Sequence, residues 1–122
     1  MRGFEEMTIM GNAGGDAEMR YLPNGTPVTS FSVAVNLKRS DGKGGTLERT
    51  KWYRVTCFKQ LAEFAAQYVK KGTGIWARGP LDARPYETKA GDTQVSLDLT
   101  ARDLQLLGGG GTPAIAGDSE PF

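Results

Sequence analysis

The residues best suited to chemistry lie between positions 47 and 58, in a run whose side chains alternate like those of a β-strand. One face of this strand carries two large aromatic rings and a guanidinium, those of Trp52, Arg54 and Phe58. Simple burial would favour aliphatic residues there, whereas aromatic rings and guanidinium groups can stack on unpaired bases. The other face carries residues that we expect in the core: Tyr53, Val55 and Cys57.

Positive charge is concentrated around this strand, although the whole chain has a formal net charge of only +1. Residues 38–59 hold seven basic and two acidic side chains, whereas residues 1–37 and 81–107 are both slightly acidic. Such a band suits a groove that contacts phosphates, and it is equally typical of a solvated pair of strands. The basic residues are Lys38, Arg39, Lys43, Arg49, Lys51, Arg54 and Lys59.

The composition excludes several common catalytic and metal sites. The chain has no histidine and a single cysteine, so it offers no internal disulfide, no Cys/His zinc set and no Cys/His nucleophile pair. It also lacks an apolar run of about 18 residues and a signal-peptide pattern at its start. We therefore expect a cytoplasmic protein that binds no cofactor, metal or membrane. An enzyme remains the weaker alternative, with a magnesium site drawn from Asp16, Glu18, Asp98 and Asp103.

Five predicted strands and one predicted helix must position these residues. The strands cover residues 4–11, 28–37, 47–58, 74–81 and 93–106, and residues 38–46 and 82–92 form hairpin loops. Apolar residues recur at helical spacing over residues 60–71, and Gly72 is the expected C-cap. This order matches the oligonucleotide/oligosaccharide-binding (OB) barrel. We predict an all-β, five-stranded OB-fold barrel over residues 1–107, with one α-helix between strands 3 and 4.

A flexible C-terminal tail follows the predicted barrel, with a Gly-rich linker at residues 108–117 and an acidic tip at residues 118–122. Acidic ends of this kind often serve only solubility. An exposed phenylalanine at the last position suits that role poorly, because an apolar ring beside carboxylates fits an apolar pocket rimmed by arginine or lysine. The predicted docking tip consists of Asp118, Ser119, Glu120, Pro121 and Phe122.

Motifs along nearly the whole barrel resemble those of the bacterial single-stranded DNA-binding protein family. They cover about residues 4–110, and their order and spacing are more specific than any one of them. The matching segments are Gly11-Asn12, Asp16 to Gly25, Trp52-Tyr53-Arg54-Val55, Lys59 to Glu63, Tyr68 to Gly72, Gly79-Pro80-Leu81 and Leu104 to Gly108.

The resemblance implies that single-stranded DNA wraps around the barrel, with bases stacked on Trp52, Phe58 and Tyr86 and phosphates bound by the basic residues above and by Arg84. Many members have an aromatic residue where this chain has Arg39, and tryptophan where it has Tyr86. Sequence-independent binding follows from stacking, because every base has a π-face.

The resemblance also implies a homotetramer that is active in DNA replication, recombination and repair, and is located in the bacterial cytoplasm with the nucleoid. Partner enzymes would dock on the acidic tip. This tip has two acidic side chains and a linker of about ten residues, so its reach is limited. The main alternative is a related barrel that acts as an adaptor between proteins, such as a primosome component. Adaptors of that kind usually lack the acidic Pro-Phe end.

Overall fold

A computed structural model describes residues 1–107, so the predicted linker and tip lie outside the described residues. The fold class is confirmed, since the described chain is mostly β with one helix after its third predicted strand. The elements are β1 (Met7–Ala13), β2 (Glu18–Tyr21), β3 (Pro27–Ser40), β4 (Thr46–Phe58), α1 (Gln60–Tyr68), β5 (Gly74–Gly79), β6 (Leu81–Glu87), β7 (Thr93–Thr100) and β8 (Asp103–Leu107).

Several element boundaries differ from those predicted. The first strand begins at Met7 rather than Phe4, the short strand β2 was not predicted, and the last predicted strand is interrupted between β7 and β8. Residues 82–92 lie in the predicted hairpin, with strand β6 as its first arm and Gly91 at its tip in a positive-φ conformation. These differences arise where hydrogen bonds to distant strands, rather than local side-chain alternation, decide the conformation.

The loop is shorter than predicted: β3 extends to Ser40 and β4 begins at Thr46, so only residues 41–45 of the predicted loop at 38–46 connect the two strands. The Asp41 carboxylate accepts hydrogen bonds from the backbone N–H groups of Lys43, at 2.7 Å, and Gly45, at 3.0 Å. These two bonds hold the pKa of Asp41 below its usual range. Gly42 and Gly44 adopt positive φ angles, which lets the chain turn within this short connection.

The sheet closes into a barrel because its two edge strands, β6 and β8, each follow directly in sequence a strand near the other edge, β5 and β7 respectively. Strand β5 pairs with β1 and β8, and β6 pairs with β7, which runs parallel to β4. The strand order is β6-β7-β4-β3-β1-β5-β8, with β2 added to β3. At the junctions, Thr100 donates its N–H to the carbonyl of Pro80, and Ala101 donates to Thr56. Such closure removes most exposed sheet edges.

The core fills the barrel with the apolar residues that the alternation predicted. Phe31, Val33 and Val55 are almost fully buried, as are the predicted core residues Tyr53 and Cys57. Burying a side chain of this size contributes about 1.5–3 kcal/mol. Ala62 and Ala65 of α1 pack into the same cluster, which also contains Ile75, Leu99 and Leu106.

Helix α1 covers one end of the barrel and is shorter than predicted. It ends at Tyr68 because Val69 adopts an extended conformation and is buried, so Lys70 and Lys71 lie outside the helix rather than in its last turn. A buried hydrogen bond of 2.7 Å from the Thr29 hydroxyl to the Ala62 carbonyl joins β3 to α1. Within residues 1–107, no helix is long and apolar enough to span a membrane.

Lys59 connects β4 to α1 with φ 60° and ψ −130°, a conformation that L-residues rarely adopt. Its N–H donates to the Pro27 carbonyl, and its own carbonyl accepts from Ala62 and Glu63 in the first turn of α1. These bonds fix the backbone of Lys59 in a conformation that glycine adopts without strain.

We expect Lys59→Gly to raise the free energy of unfolding by about 1 kcal/mol, because glycine removes the steric cost of the positive φ angle. Thermal denaturation measures the change. Lys59→Ala is the matched control, since it removes the same charge but retains a Cβ atom. An equal gain in stability from Lys59→Ala would contradict the backbone explanation.

Candidate nucleic-acid interface

The outer face of β4 carries the aromatic row that the alternation predicted. The register of β3 and β4 is unbroken from Val28–Phe58 to Ser40–Thr46, so alternate residues keep to one face along the whole pair. Trp52 and Phe58 are 56% and 40% exposed, whereas Tyr53 between them in sequence is 3% exposed. We call the face that contains Trp52, Arg54 and Phe58 the stacking face.

The parallel pairing of β4 with β7 brings a second group of residues beside the stacking face. Arg54 is directly opposite Asp98, and the hairpin of β6 and β7 then extends past Trp52. Tyr86, on β6, is 51% exposed. Between the two hairpins lies a shallow groove of about 190 Å³, lined by Ser32, Trp52, Tyr53, Arg54, Tyr86, Val95, Ser96 and Leu97.

Gly14 determines how the Trp52 ring can lie on this surface. It follows β1 and donates its N–H to the Ser32 carbonyl at 2.8 Å, which fixes the backbone beside β3. A Cβ atom on Gly14 would lie 2.7 Å from Cζ3 of the Trp52 indole, so only glycine leaves space for the ring in this position. The indole ring therefore lies against the backbone at Gly14 on one side and is exposed to solvent on the other.

The structure separates the predicted basic residues of positions 38–59 into four locations. Lys38 and Arg54 share the face of Trp52, because they occupy even-numbered positions in the unbroken β3–β4 register. Lys43 lies in the hairpin tip, and Lys59 lies directly after Phe58. The opposite face of the hairpin carries the remaining three, Arg39, Arg49 and Lys51.

This opposite face, which we call the reverse face, is also partly apolar. Leu37 and Leu47 are 44% and 47% exposed there, and together with Lys38, Arg39 and Arg49 they line a cavity of about 440 Å³. The Lys51 ammonium lies 5.7 Å from the centre of the Tyr53 ring, within cation–π range. The basic band of the sequence therefore surrounds the hairpin rather than lying on one surface.

Arg84, the remaining predicted cation, is engaged within the protein. Its Nε and Nη2 atoms both lie 2.7 Å from Oδ2 of Asp98, and the Ser96 hydroxyl donates to Oδ1 of the same carboxylate at 2.9 Å. All three side chains lie on the sheet face that carries Arg54, because Asp98 is the register partner of Arg54, Ser96 lies two residues before Asp98 on β7, and Arg84 is the register partner of Ser96.

Three of the four carboxylates considered for a magnesium site have partners within the protein. Asp103 accepts from Arg78, Asp16 accepts from the N–H of Lys71, and Asp98 binds Arg84. Within residues 1–107, no three His, Cys, Asp or Glu side chains are grouped so that they could hold a metal. Burial raises the pKa of the Cys57 thiol to about 12, which keeps this group protonated and unreactive at neutral pH.

Some residues of the groove were not predicted as part of a binding site. Gly14, Ser32, Val95 and Ser96 were not singled out, and Asp98 was considered only as a metal ligand. The alternation of β3 could have indicated Ser32, because Ser32 and Arg54 are register partners. No local signal indicates Gly14 or Asp98, since they come beside Trp52 and Arg54 only through pairing with distant strands.

Sequence comparison finds the Single-strand binding protein family, whose profile matches residues 4–107. The single-stranded DNA-binding protein of Neisseria meningitidis serogroup A is 38% identical over 113 residues, which cover 88% of this chain and 65% of that protein. Single-stranded DNA-binding protein 1 of Xylella fastidiosa is 35% identical, with 88% of this chain and 80% of that protein covered. The chain thus spans just under two thirds of the Neisseria protein.

Comparison with solved structures finds the same barrel. The small single-stranded DNA-binding protein of Streptomyces coelicolor superposes with a TM-score of 0.71 at 25% identity, covering 82% of this chain and 91% of that one. The Plasmodium falciparum SSB, solved in complex with ssDNA, gives a TM-score of 0.73 at 20% identity, covering 88% and 97% of the two chains. At this identity the second match supports the fold alone.

We expect Gly14→Ala to move the Trp52 ring outward, because the new methyl group would overlap the indole. The change should shift the Trp52 emission to the red and increase its quenching by acrylamide. The measurement requires a Trp76→Phe background, since Trp76 is the second of two tryptophans in the chain.

Gly15→Ala is the matched control for this substitution, because a Cβ atom on Gly15 would have no atom within 4 Å. Its emission should equal that of the Trp76→Phe parent. Equal spectra for Gly14→Ala and Gly15→Ala would show that Gly14 does not position the ring.

Proposed function

Because the chain belongs to the Single-strand binding protein family, we propose that it binds single-stranded DNA independently of sequence and catalyses no reaction. The observation that carries this proposal is the exposed row of Trp52, Arg54 and Phe58 on β4, with Tyr86 across the groove. Exposed aromatic rings of this size contribute little to folding, whereas they offer stacking surfaces to unpaired bases.

The aromatic residues would stack on bases at separate points of one strand. Trp52 and Phe58 are six positions apart on β4, a distance of about 20 Å at the usual rise of a β-strand. One extended strand of DNA could therefore contact both rings with different bases. Each stacked base contributes about 1–3 kcal/mol, with little preference for its identity.

The cations would bind the phosphates of that strand in two groups. Lys38, Arg54 and Lys59 lie on or beside the stacking face and can accompany the stacked segment. Arg39, Arg49 and Lys51 lie on the reverse face, and Lys43 lies at the hairpin tip between the two. A strand that passes over the tip would contact both groups, which is consistent with wrapping around the barrel.

Membership of the family supports wider roles that we include in the proposal. The protein would protect single-stranded DNA in the bacterial cytoplasm during replication, recombination and repair, as a homotetramer. Its tip, Asp118 to Phe122, would recruit partner enzymes through an apolar pocket rimmed by basic residues.

Titration of the Trp76→Phe protein with poly-dT tests the proposal, because Trp52 is then the only fluorophore of its type. We expect strong quenching by the single strand and none by a duplex of equal length. Absence of both quenching and a gel shift with poly-dT would exclude the proposal and favour the adaptor hypothesis.

Replacing an aromatic residue and replacing a cation should have different salt dependences. Trp52→Ala should lower affinity by about 1–3 kcal/mol with little change in the slope of log K against log salt, because it removes stacking but no charge. Arg54→Gln should make this slope shallower by about 0.7, the value for one phosphate contact on a single strand. Fluorescence polarisation of a labelled dT oligomer at several salt concentrations measures both. Equal slopes for the two variants would exclude a phosphate contact at Arg54.

A further inference from the structure

We propose that Asp98 limits the number of phosphates that the groove binds, because it holds Arg84 in an internal ion pair. This inference rests on the proposed binding of single-stranded DNA. Arg84 is then a fixed part of the sheet face beside the groove rather than a free phosphate-binding cation, and Asp98 is a positioning residue for the site.

The geometry of the pair favours a fixed arrangement. Two nitrogens of the Arg84 guanidinium bind the same oxygen of Asp98, and Ser96 binds the other oxygen. The Asp98 side chain is only 17% exposed, whereas that of Arg84 is 69% exposed. A shielded carboxylate that accepts two hydrogen bonds and makes a further ion-pair contact of 2.7 Å retains its partner better than an exposed one does, because solvent and salt screen it less.

The position of Asp98 makes its charge important for DNA. It lies directly opposite Arg54 in the parallel pairing of β4 and β7, and so between Arg54 on β4 and Arg84 on β6. On its other side, Asp98 lies directly opposite Asp82 of β6. A phosphate that approached Arg54 from this side would meet a carboxylate. We infer that the backbone of the DNA avoids this part of the groove, while bases face Trp52 and Tyr86.

Removal of the Asp98 charge should therefore strengthen binding. In Asp98→Asn the amide oxygen can still accept from Arg84, but the guanidinium regains a free positive charge. We expect affinity for a dT oligomer to rise several-fold at low salt, and the salt slope to steepen by about 0.7, which corresponds to one more phosphate neutralised. A residue with a purely structural role would not change this slope.

Two further variants separate the ion pair from a general effect of net charge. Asp82→Asn removes the same charge from the same face, and among the described residues no ion pair or side-chain hydrogen bond involves Asp82. It should change the slope much less than Asp98→Asn does. Arg84→Gln should make the slope shallower by a larger amount in the Asp98→Asn background than in the wild type, because only there is the guanidinium free.

A measurement on the unmodified protein makes the test independent of how well the variants fold. On titration with dT oligomer, the NMR signal of the Arg84 Nε–H group should stay in place, since its partner remains Asp98, while that of Arg54 should move. Arg84→Gln and Arg54→Gln assign the two signals.

The outcomes distinguish this inference from the proposed function. If the wild-type protein does not bind dT, both are overturned. If the wild type binds but Asp98→Asn leaves the slope unchanged, weakens binding, or matches Asp82→Asn, only the role of Asp98 is overturned. Movement of the Arg84 signal as large as that of Arg54 overturns it equally.

Discussion

The short parallel pairing of β4 with β7 is the interaction on which the rest of the structure depends. It involves only Arg54–Asp98, Val55–Leu99 and Thr56–Thr100, yet it closes the barrel. The side chains of Val55 and Leu99 point into the core and are fully buried, so closure and core formation are coupled. The outward-facing pair of the same register, Arg54 and Asp98, lies on the face that carries the groove. One set of backbone hydrogen bonds therefore builds both the core and the candidate site.

Closure also requires close approach of backbone segments at a few positions. A Cβ atom on Gly79 would overlap the Thr100 carbonyl, and one on Gly11 would overlap the carbonyl of Ala34. Only glycine permits these contacts, which bring β5 against the end of β7 and β1 against β3. Because the strands approach one another so closely, side chains of small and medium size are enough to fill the closed barrel of this chain.

The candidate site is formed where the two long hairpins leave the barrel. Beyond Asn36 and Thr50, β3 and β4 pair only with each other, and the same holds for much of β6 and β7. Their side chains are exposed on both faces and add little to the core. Surfaces of this kind are free to carry aromatic and basic residues, since the stability of the fold depends on the barrel instead. The separation also explains why the basic residues of one continuous segment occupy both the stacking and the reverse face.

The sequence by itself determined the fold class and the identity of the stacking face. Strict alternation places Trp52, Arg54 and Phe58 together and Tyr53, Val55 and Cys57 in the core, because successive side chains of a strand point to opposite sides. Local patterns also predicted the helix and the five main strands. They could not predict where each element ended, as at Val69 after α1 and at Ser40 of β3, since burial and pairing with other segments decide those positions.

Tertiary structure alone decided which distant residues meet. The support of Trp52 by Gly14 and the pairing of Arg84 with Asp98 join segments that have no local relationship in sequence. Alternation assigns a residue to a face but does not specify which strand lies beside it, because register is set by the complete hydrogen-bonded sheet. The composition of the groove, and the carboxylate of Asp98 beside its Arg54, are therefore consequences of barrel closure.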